Sequence, residues 1–577
     1  MSAIAQRAVC WWVGPGFKGP GGRILSRWLF LRSLGLIYFS AFYSLVFQIR
    51  GLLGPEGLLP AGSYLEEVGK VMAGATRFWY APTLLWLNSS AHALTALCWI
   101  GMIASALMIL NLWPRAMLAA CFILFLSFVV AAEDFSGYQS DGMLLAASFI
   151  CLFLAPAGLR PGLGEEQPPS RATLFLLQLL WFSIYFESGI AKYFGGDASW
   201  RDFSAMNEYY QNGPLPTWIG WYAHQLPRRV HEATAFVTIF TELVVVGMIF
   251  LPRIFPIICF FFVTFLQTGI ILTANYAFLN YLVLALGIFL LDDGFLIRFV
   301  PRRRRETVRK RLGIELHAKP WRKNLFTFHR PPAETPKAPE PDPWSLLHPP
   351  PIEPSAAQGS AEKLNLPLWR LVLFNAGLWT KAFVLAWVLY ATIFLFLRQI
   401  SPGLPLPSQP MTALEPFRIA NSYGLFGRMT WTRYEIEFQG SNDGANWTPY
   451  PFRYKPQALN EAPGIYAPYQ PRFEWNLWFA SLGGWRENPF VVRAEQLLLF
   501  GNKDVLAFFR SNPFLASPPT HVRAVIWQYW FTDLSTKRSS GAWWRREFRG
   551  LYAPALERTP DGKIIVSGWP QGFIPPP

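Results

Sequence analysis

Apolar residues in this chain come in long unbroken runs rather than at the 3.6-residue spacing of an amphipathic helix or the two-residue spacing of a half-buried strand. Nine such runs fall near 28–48, 91–112, 115–132, 142–158, 172–194, 233–251, 254–273, 276–292 and 368–397. Each is close to the roughly 20 residues a helix needs to cross hydrocarbon. The pattern predicts a polytopic α-helical membrane protein of about nine spans. From about 410 to 560 the pattern changes: TRYEIEFQGS alternates, SNDGANW carries turn residues, and VRAVIWQYWFTDL reads as a further strand. This stretch predicts a C-terminal β-rich (α+β) extramembrane domain with a few helices, one of them near 495–510.

The resulting organisation is a multi-span domain over 1–297, a linker over 298–366, a last transmembrane helix over 367–398, an outer domain over 410–560 and a tail over 561–577. The linker is basic and then proline-rich: residues 302–323 hold ten basic and two acidic residues, and 331–354 hold ten prolines. Such a segment favours an extended, solvated tether, with a PxxP partner site as the alternative. The first run follows Arg23 and Arg27 and reads as an uncleaved signal anchor; a transit peptide competes, because no acidic residue precedes Glu56.

Charge refines the topology. Arg115, Arg160, Arg171, Arg253 and the run from Arg302 to Arg311 fall in alternate loops, as the positive-inside rule requires for a cytoplasmic N-terminus. Nine crossings then put everything after Arg398 outside the cytoplasm. The formal net charge of +15 is therefore assigned to loop retention and anionic lipid, with no nucleic acid as partner. The five cysteines all precede residue 260, and the outer domain has none. That usage predicts no disulfide framework and suits a bacterial inner membrane with a periplasmic domain; in a eukaryote the same topology gives an endoplasmic reticulum membrane and a lumenal domain.

No phosphate-binding loop, H-E-x-x-H or G-x-S-x-G motif is present, so neither a cofactor nor a metal is predicted. Polar residues inside the apolar runs are the candidates for chemistry. In YFESGIAKYFGGDASW, Glu187 and Lys192 lie five residues apart near the end of a span, followed by Asp197, Trp200 and Arg201. A Glu187–Lys192 ion pair at the membrane interface is the structural reading; an acid–base role is the functional one. Glu133, Asp134, Tyr138, Gln139 and Asp141 form a second polar cluster between two spans, and Gln267, Asn275 and Asn280 add amides suited to holding helices together. Asp292 and Asp293 read as the end of a span. In the outer domain, Asn421, Tyr423, Arg428, Arg472, Trp475, Trp478, Trp543 and Trp544 combine aromatic anchors with long cations, the residue types of protein–protein hot spots, and are candidates for binding a client protein. An aromatic core with surface ion pairs is the alternative for most of them.

NSYGLFGRMT, EFQGSNDGANWTPYPFRYKP, YAPYQPRFEWNLWFASL, SNPF at 511–514 and GAWWRREFRGLYAPAL together resemble the lipase maturation factor family over most of 417–556. EDFSGYQSDGMLLAASF and WFSIYFESGIAKYFGGDASWRD extend the resemblance through a family-like core at about 130–295. For the eukaryotic family it implies an organelle membrane protein whose lumenal C-terminal domain helps dimeric secreted lipases fold and assemble. The cysteine-free outer domain and the proline tether suggest a bacterial relative, with some exported protein as client. The membrane region is also similar to that of vitamin K-dependent gamma-carboxylase, which places Lys192 where that family has a lysine proposed as catalytic base; Gln267 stands where its pattern has a histidine. Three readings follow: a maturation factor or chaperone for exported proteins, a membrane enzyme using Lys192, Glu187 or Asp141 on a lipidic or protein substrate, and a lipid-handling or transport role.

Overall fold

A computed structural model describes residues 3–314, 368–401 and 403–571. The proline-rich tether expected at 331–354 lies outside these residues. Among them, seven helices are long and apolar enough to cross a membrane: α1 (Ile24–Val46), α2 (Ala91–Ile109), α3 (Pro114–Ala131), α5 (Arg171–Phe194), α6 (Arg228–Phe250), α7 (Ile254–Thr273) and α9, whose apolar part is Asn375–Ile400. The other two runs form shorter apolar helices, α4 (Gln139–Leu152) and α8 (Leu279–Leu290). At 1.5 Å per residue each covers only about 20 Å, less than the hydrocarbon thickness. Both are walled in by their neighbours, Met143, Leu144, Leu282 and Val283 being fully buried. The count of nine membrane-length segments is thus corrected to seven plus two short helices.

Successive helices reverse direction, so their ends gather on two faces. On one face Asp293 accepts the backbone N–H groups of Ile24 (2.9 Å) and Leu25 (2.8 Å), capping the start of α1. Arg115 donates to the Ala155 carbonyl on the same face, and Arg253 pairs with Asp292. The opposite face carries the C-terminal domain. Close approach of α1 to α2 needs glycine: a Cβ on Gly101 would sit 2.6 Å from the Phe42 ring, and one on Gly35 would lie 2.7 Å from Ile109. Inside the bundle the amides do what the sequence suggested. Gln267 donates to the Tyr185 hydroxyl (2.9 Å) and accepts from Asn280 (2.6 Å), tying α7 to α5 and α8.

The outer domain is a six-stranded antiparallel sheet: β1 (Arg433–Ser441), β2 (Thr448–Pro449), β3 (His521–Phe531), β4 (Trp544–Leu551), β5 (Ala555–Arg558) and β6 (Ile564–Gly568). The order is β2-β1-β3-β5-β6, with β4 also paired to β3. Within the stretch set aside from sequence as a tail, Ile564–Gly568 form an edge strand, which pairs through Arg558 opposite Ile564. All nine residues of β1 are buried. Its apolar side, Tyr434, Ile436 and Phe438, packs on α10 (Arg472–Ala480), while α11 (Pro489–Leu499) packs on β3. Its other side is charged but satisfied: Glu435 pairs with Arg433 and with Lys455 (2.7 Å), and Glu437 with Arg546 (3.1 Å). The helix expected at 495–510 begins earlier and ends earlier. Pro489 fits the first helical position, where a missing N–H costs nothing, and Gly501 at φ +64° closes the C-terminus.

Candidate functional site

The domains meet along a strap, residues 419–432, whose backbone belongs to no sheet. A buried N–H without a partner costs free energy, so this strap must find acceptors elsewhere. Side chains at the outer ends of the spans provide them. The N–H of Tyr423 donates to Glu187 Oε2 (2.7 Å), that of Gly424 to Gln139 (3.2 Å), that of Leu425 to Ser188 (3.2 Å) and that of Met429 to Asp197 (2.7 Å). Trp200 donates to the Phe426 carbonyl (2.9 Å), and Asn421 donates to the Gly142 carbonyl (3.0 Å). Gly424 and Gly427 let the strap lie on α5: a Cβ at either would come within 3.4 Å and 3.1 Å of Ala191. This is the physical content of the NSYGLFGRM segment.

Two buried ion pairs flank the strap. Arg472, at the start of α10, grips Asp141 on α4 through two hydrogen bonds of 2.7 and 2.8 Å and donates a third to the Phe135 carbonyl. Both side chains are fully buried, and the guanidinium lies over the Phe128 ring. The neighbouring Tyr138 hydroxyl donates to Asn476 (2.6 Å). Lys192 bonds both oxygens of Glu242 on α6 at 2.8 Å, under the Trp200 ring. The Glu187–Lys192 pair expected from sequence does not form. Five residues along a helix turn the two side chains about 140° apart, which sends Glu187 to the strap and Lys192 to α6. Asn275 makes a further clasp, accepting from the N–H groups of Tyr466 (2.6 Å) and Ala467 (3.0 Å).

The eight positions considered for client binding separate into two sets. Tyr423, Arg472, Trp475, Trp478 and Trp544 are buried, most of them against the protein's own bundle or sheet. Tyr423, Arg472 and Trp544 hold the domains or fill the sheet, because the aromatic and cationic residues that suit a hot spot suit an internal interface equally well, whereas Trp475 and Trp478 form part of a crevice wall. Asn421 is half-buried at the seam, Trp543 is half-buried against Trp221 (5.2 Å between rings), and Arg428 is exposed. Around Arg428 opens a largely apolar crevice of about 640 Å³, between the strap, the α7–α8 turn at Tyr276 and the end of α10. Trp431 and Phe479 stand at its mouth, 51% and 45% exposed. Neither was singled out from sequence. Glu242, the partner of Lys192, was also missed; an acid in the apolar run TIFTELVVVG is the kind of residue that membrane burial marks as needing a partner. Among the described residues, no group of three or more His, Cys, Asp or Glu side chains could hold a metal ion.

One titratable group in the outer domain has a pH signature. Glu474 on α10 accepts from the N–H groups of Arg453, Tyr454 and Lys455, yet burial outweighs these bonds and pushes its carboxyl up to about 7. Because the folded form binds the proton more tightly than the unfolded one, the ionised carboxylate opposes folding. Stability contributed by this group should therefore rise as pH falls from about 7 toward the ordinary glutamate range. Thermal unfolding of the full chain in detergent between pH 5 and 8 checks it: Glu474→Gln should flatten the rise.

A membrane bundle clamped by buried ion pairs to its own outer β-domain, with an aromatic crevice at the seam, defines a polytopic membrane protein built to present that domain on one face. The chain belongs to the lipase maturation factor family. The family model described as the lipase maturation factor transmembrane domain matches residues 25–298, and that of the lipase maturation factor C-terminal domain matches 419–554. The chain is 30% identical to lipase maturation factor 2 of Gallus gallus over 94% of its length and 83% of that protein. It is 30% identical to lipase maturation factor 2 of Homo sapiens (93% and 83%) and 28% identical to lipase maturation factor 1 of Bos taurus (96% and 94%). No solved structure matches the chain.

Proposed function

We propose that the protein is a membrane-anchored maturation factor that holds an exported, lipase-like client at the seam crevice while the client folds or assembles. The observation that carries this reading is the pair of exposed aromatic side chains, Trp431 and Phe479, over a cavity walled by two domains locked together. Exposed aromatic surface rimmed by Arg428, a cation with no ion-pair partner among the described residues, suits a partly folded chain, which displays apolar residues that a finished enzyme hides. Family membership supplies the client class.

The face opposite the outer domain is assigned to the cytoplasm. Arg115, Arg253 and the helix Arg302–Leu312 lie there, as the positive-inside rule asks. The outer domain then faces the periplasm in a bacterium, or the endoplasmic reticulum lumen in a eukaryote. Lys192 serves here as a structural cation, since both Glu242 oxygens engage its ammonium.

A photo-crosslinking residue tests the site. Placed at 431 or 479 in cells making a secreted lipase, it should capture the newly made enzyme, whereas placed at the exposed but remote Leu515 it should not. Equal capture from all three positions would sink the assignment of the crevice.

A further inference from the structure

A second cavity, of about 660 Å³, lies on the other side of the strap and shares Gly137, Tyr138, Gln139 and Gly424 with the client crevice. Its lining differs in kind. Arg398, at the end of the last span, and Arg418 both border it, and neither guanidinium has a carboxylate partner among the described residues. Gln399, also on its wall, donates to the carbonyls of Glu187 (3.0 Å) and Tyr423 (3.1 Å), which leaves its own buried side-chain oxygen without a donor. The buried Tyr423 hydroxyl has the Asn421 side chain and the Glu187 carboxylate nearby and makes no well-formed hydrogen bond among the described residues. Arg418 itself holds φ +53°, a conformation that costs a non-glycine residue about 1 kcal/mol or more and persists where the surroundings enforce it. Asn421 enforces it by donating to the Arg418 carbonyl (3.0 Å).

The level of the cavity identifies its occupant. Val129 and Leu395 belong to the last turns of membrane spans, and with Met411 they give the cavity an apolar floor. Two free arginines above such a floor, at the depth where spans end, match a phosphodiester headgroup with its acyl chains below it. Arginine holds phosphate oxygens through a planar fork, and unused Gln399 and Tyr423 groups suit the hydroxyl and ester groups of a glycerol backbone. We infer that this cavity is a phospholipid site, occupied by a phosphodiester headgroup between Arg398 and Arg418. Glu415, also on the rim, keeps the net charge of the site at +1, that of a receptor for a single phosphate monoanion.

Native mass spectrometry of the full chain released from detergent tests it, with dioleoylphosphatidylglycerol as probe. Wild type should retain the phospholipid, and Arg398→Gln or Arg418→Gln should each weaken retention about tenfold, the loss of one charge-assisted hydrogen-bonded contact. Arg428→Gln, on the other side of the strap, should retain it as wild type does. Both tested arginines are exposed and unpaired, so the variants should unfold at the wild-type temperature; Met411→Trp, which fills the floor instead, should weaken binding with all charges intact. Equal retention of dioleoylglycerol, which has the same chains and no phosphate, would overturn the inference. So would wild-type retention by the double arginine variant. Displacement of the lipid by millimolar inorganic phosphate would assign the cavity to a free anion and overturn the lipid as its source.

Discussion

Arg472→Met should loosen the outer domain from the membrane bundle more than any other single substitution. It leaves the fully buried Asp141 carboxylate without its cation, at the junction of α4 and α10. Removing one partner of a buried pair costs about 3–5 kcal/mol, because an uncompensated charge remains in a low-dielectric site. The variant should show a lower unfolding temperature in detergent and faster proteolysis of the connector at 403–418. Asp141→Leu together with Arg472→Met removes both charges and should recover much of the loss, since apolar replacement of a buried ion pair is often neutral. A double variant no better than the single would mean that the bidentate geometry itself, with the Phe135 carbonyl contact, holds the seam.

Glu242→Gln should be nearly as damaging, for the same reason seen from the other charge. Lys192 is buried with its ammonium committed to two Glu242 oxygens at 2.8 Å. An amide supplies a single neutral acceptor, so the penalty is again about 3 kcal/mol or more, and Lys192→Met with Glu242→Leu should relieve it. Glu187→Gln provides the contrast. Its bond to the Tyr423 N–H can be kept by an amide oxygen and its other oxygen makes no well-formed hydrogen bond among the described residues, so the cost should stay near about 1 kcal/mol. Thermal unfolding of the three variants side by side ranks them. If Glu187→Gln were worst, the ion-pair assignment would be reversed.

The sequence carried the architecture because apolar run length and β alternation are local signals. It separated a helical bundle from a β-rich outer domain, and it marked Gln267 and Asn280 as helix-binding amides, whereas Asn275, expected to act likewise, clasps the outer domain. Partner choice was not local. Glu187 and Lys192 are neighbours in sequence, yet their true partners, the Tyr423 backbone and Glu242, lie 236 and 50 positions away. The aromatic residues illustrate the same limit. Trp475 and Trp544 look like exposed anchors by type, but the fold spends them on Tyr138 and Phe531. Trp431, in an unremarkable T-W-T triplet, is left open instead. Which tryptophans face solvent is decided by how the strap is pinned, and that depends on side chains from α4, from α5 and the segment after it, and from α9.

If the seam crevice acts on a folding client, losing its aromatic mouth should cost the client its activity. The most direct measurement is the specific activity, per unit of enzyme protein, of a lipase secreted by cells that lack their own family member and carry this chain. Wild type should restore it. Trp431→Asp with Phe479→Asp should fail to, while matching wild type in unfolding temperature and in protection of the 403–418 connector. Full restoration by that variant would rule out the crevice and move the client to another surface.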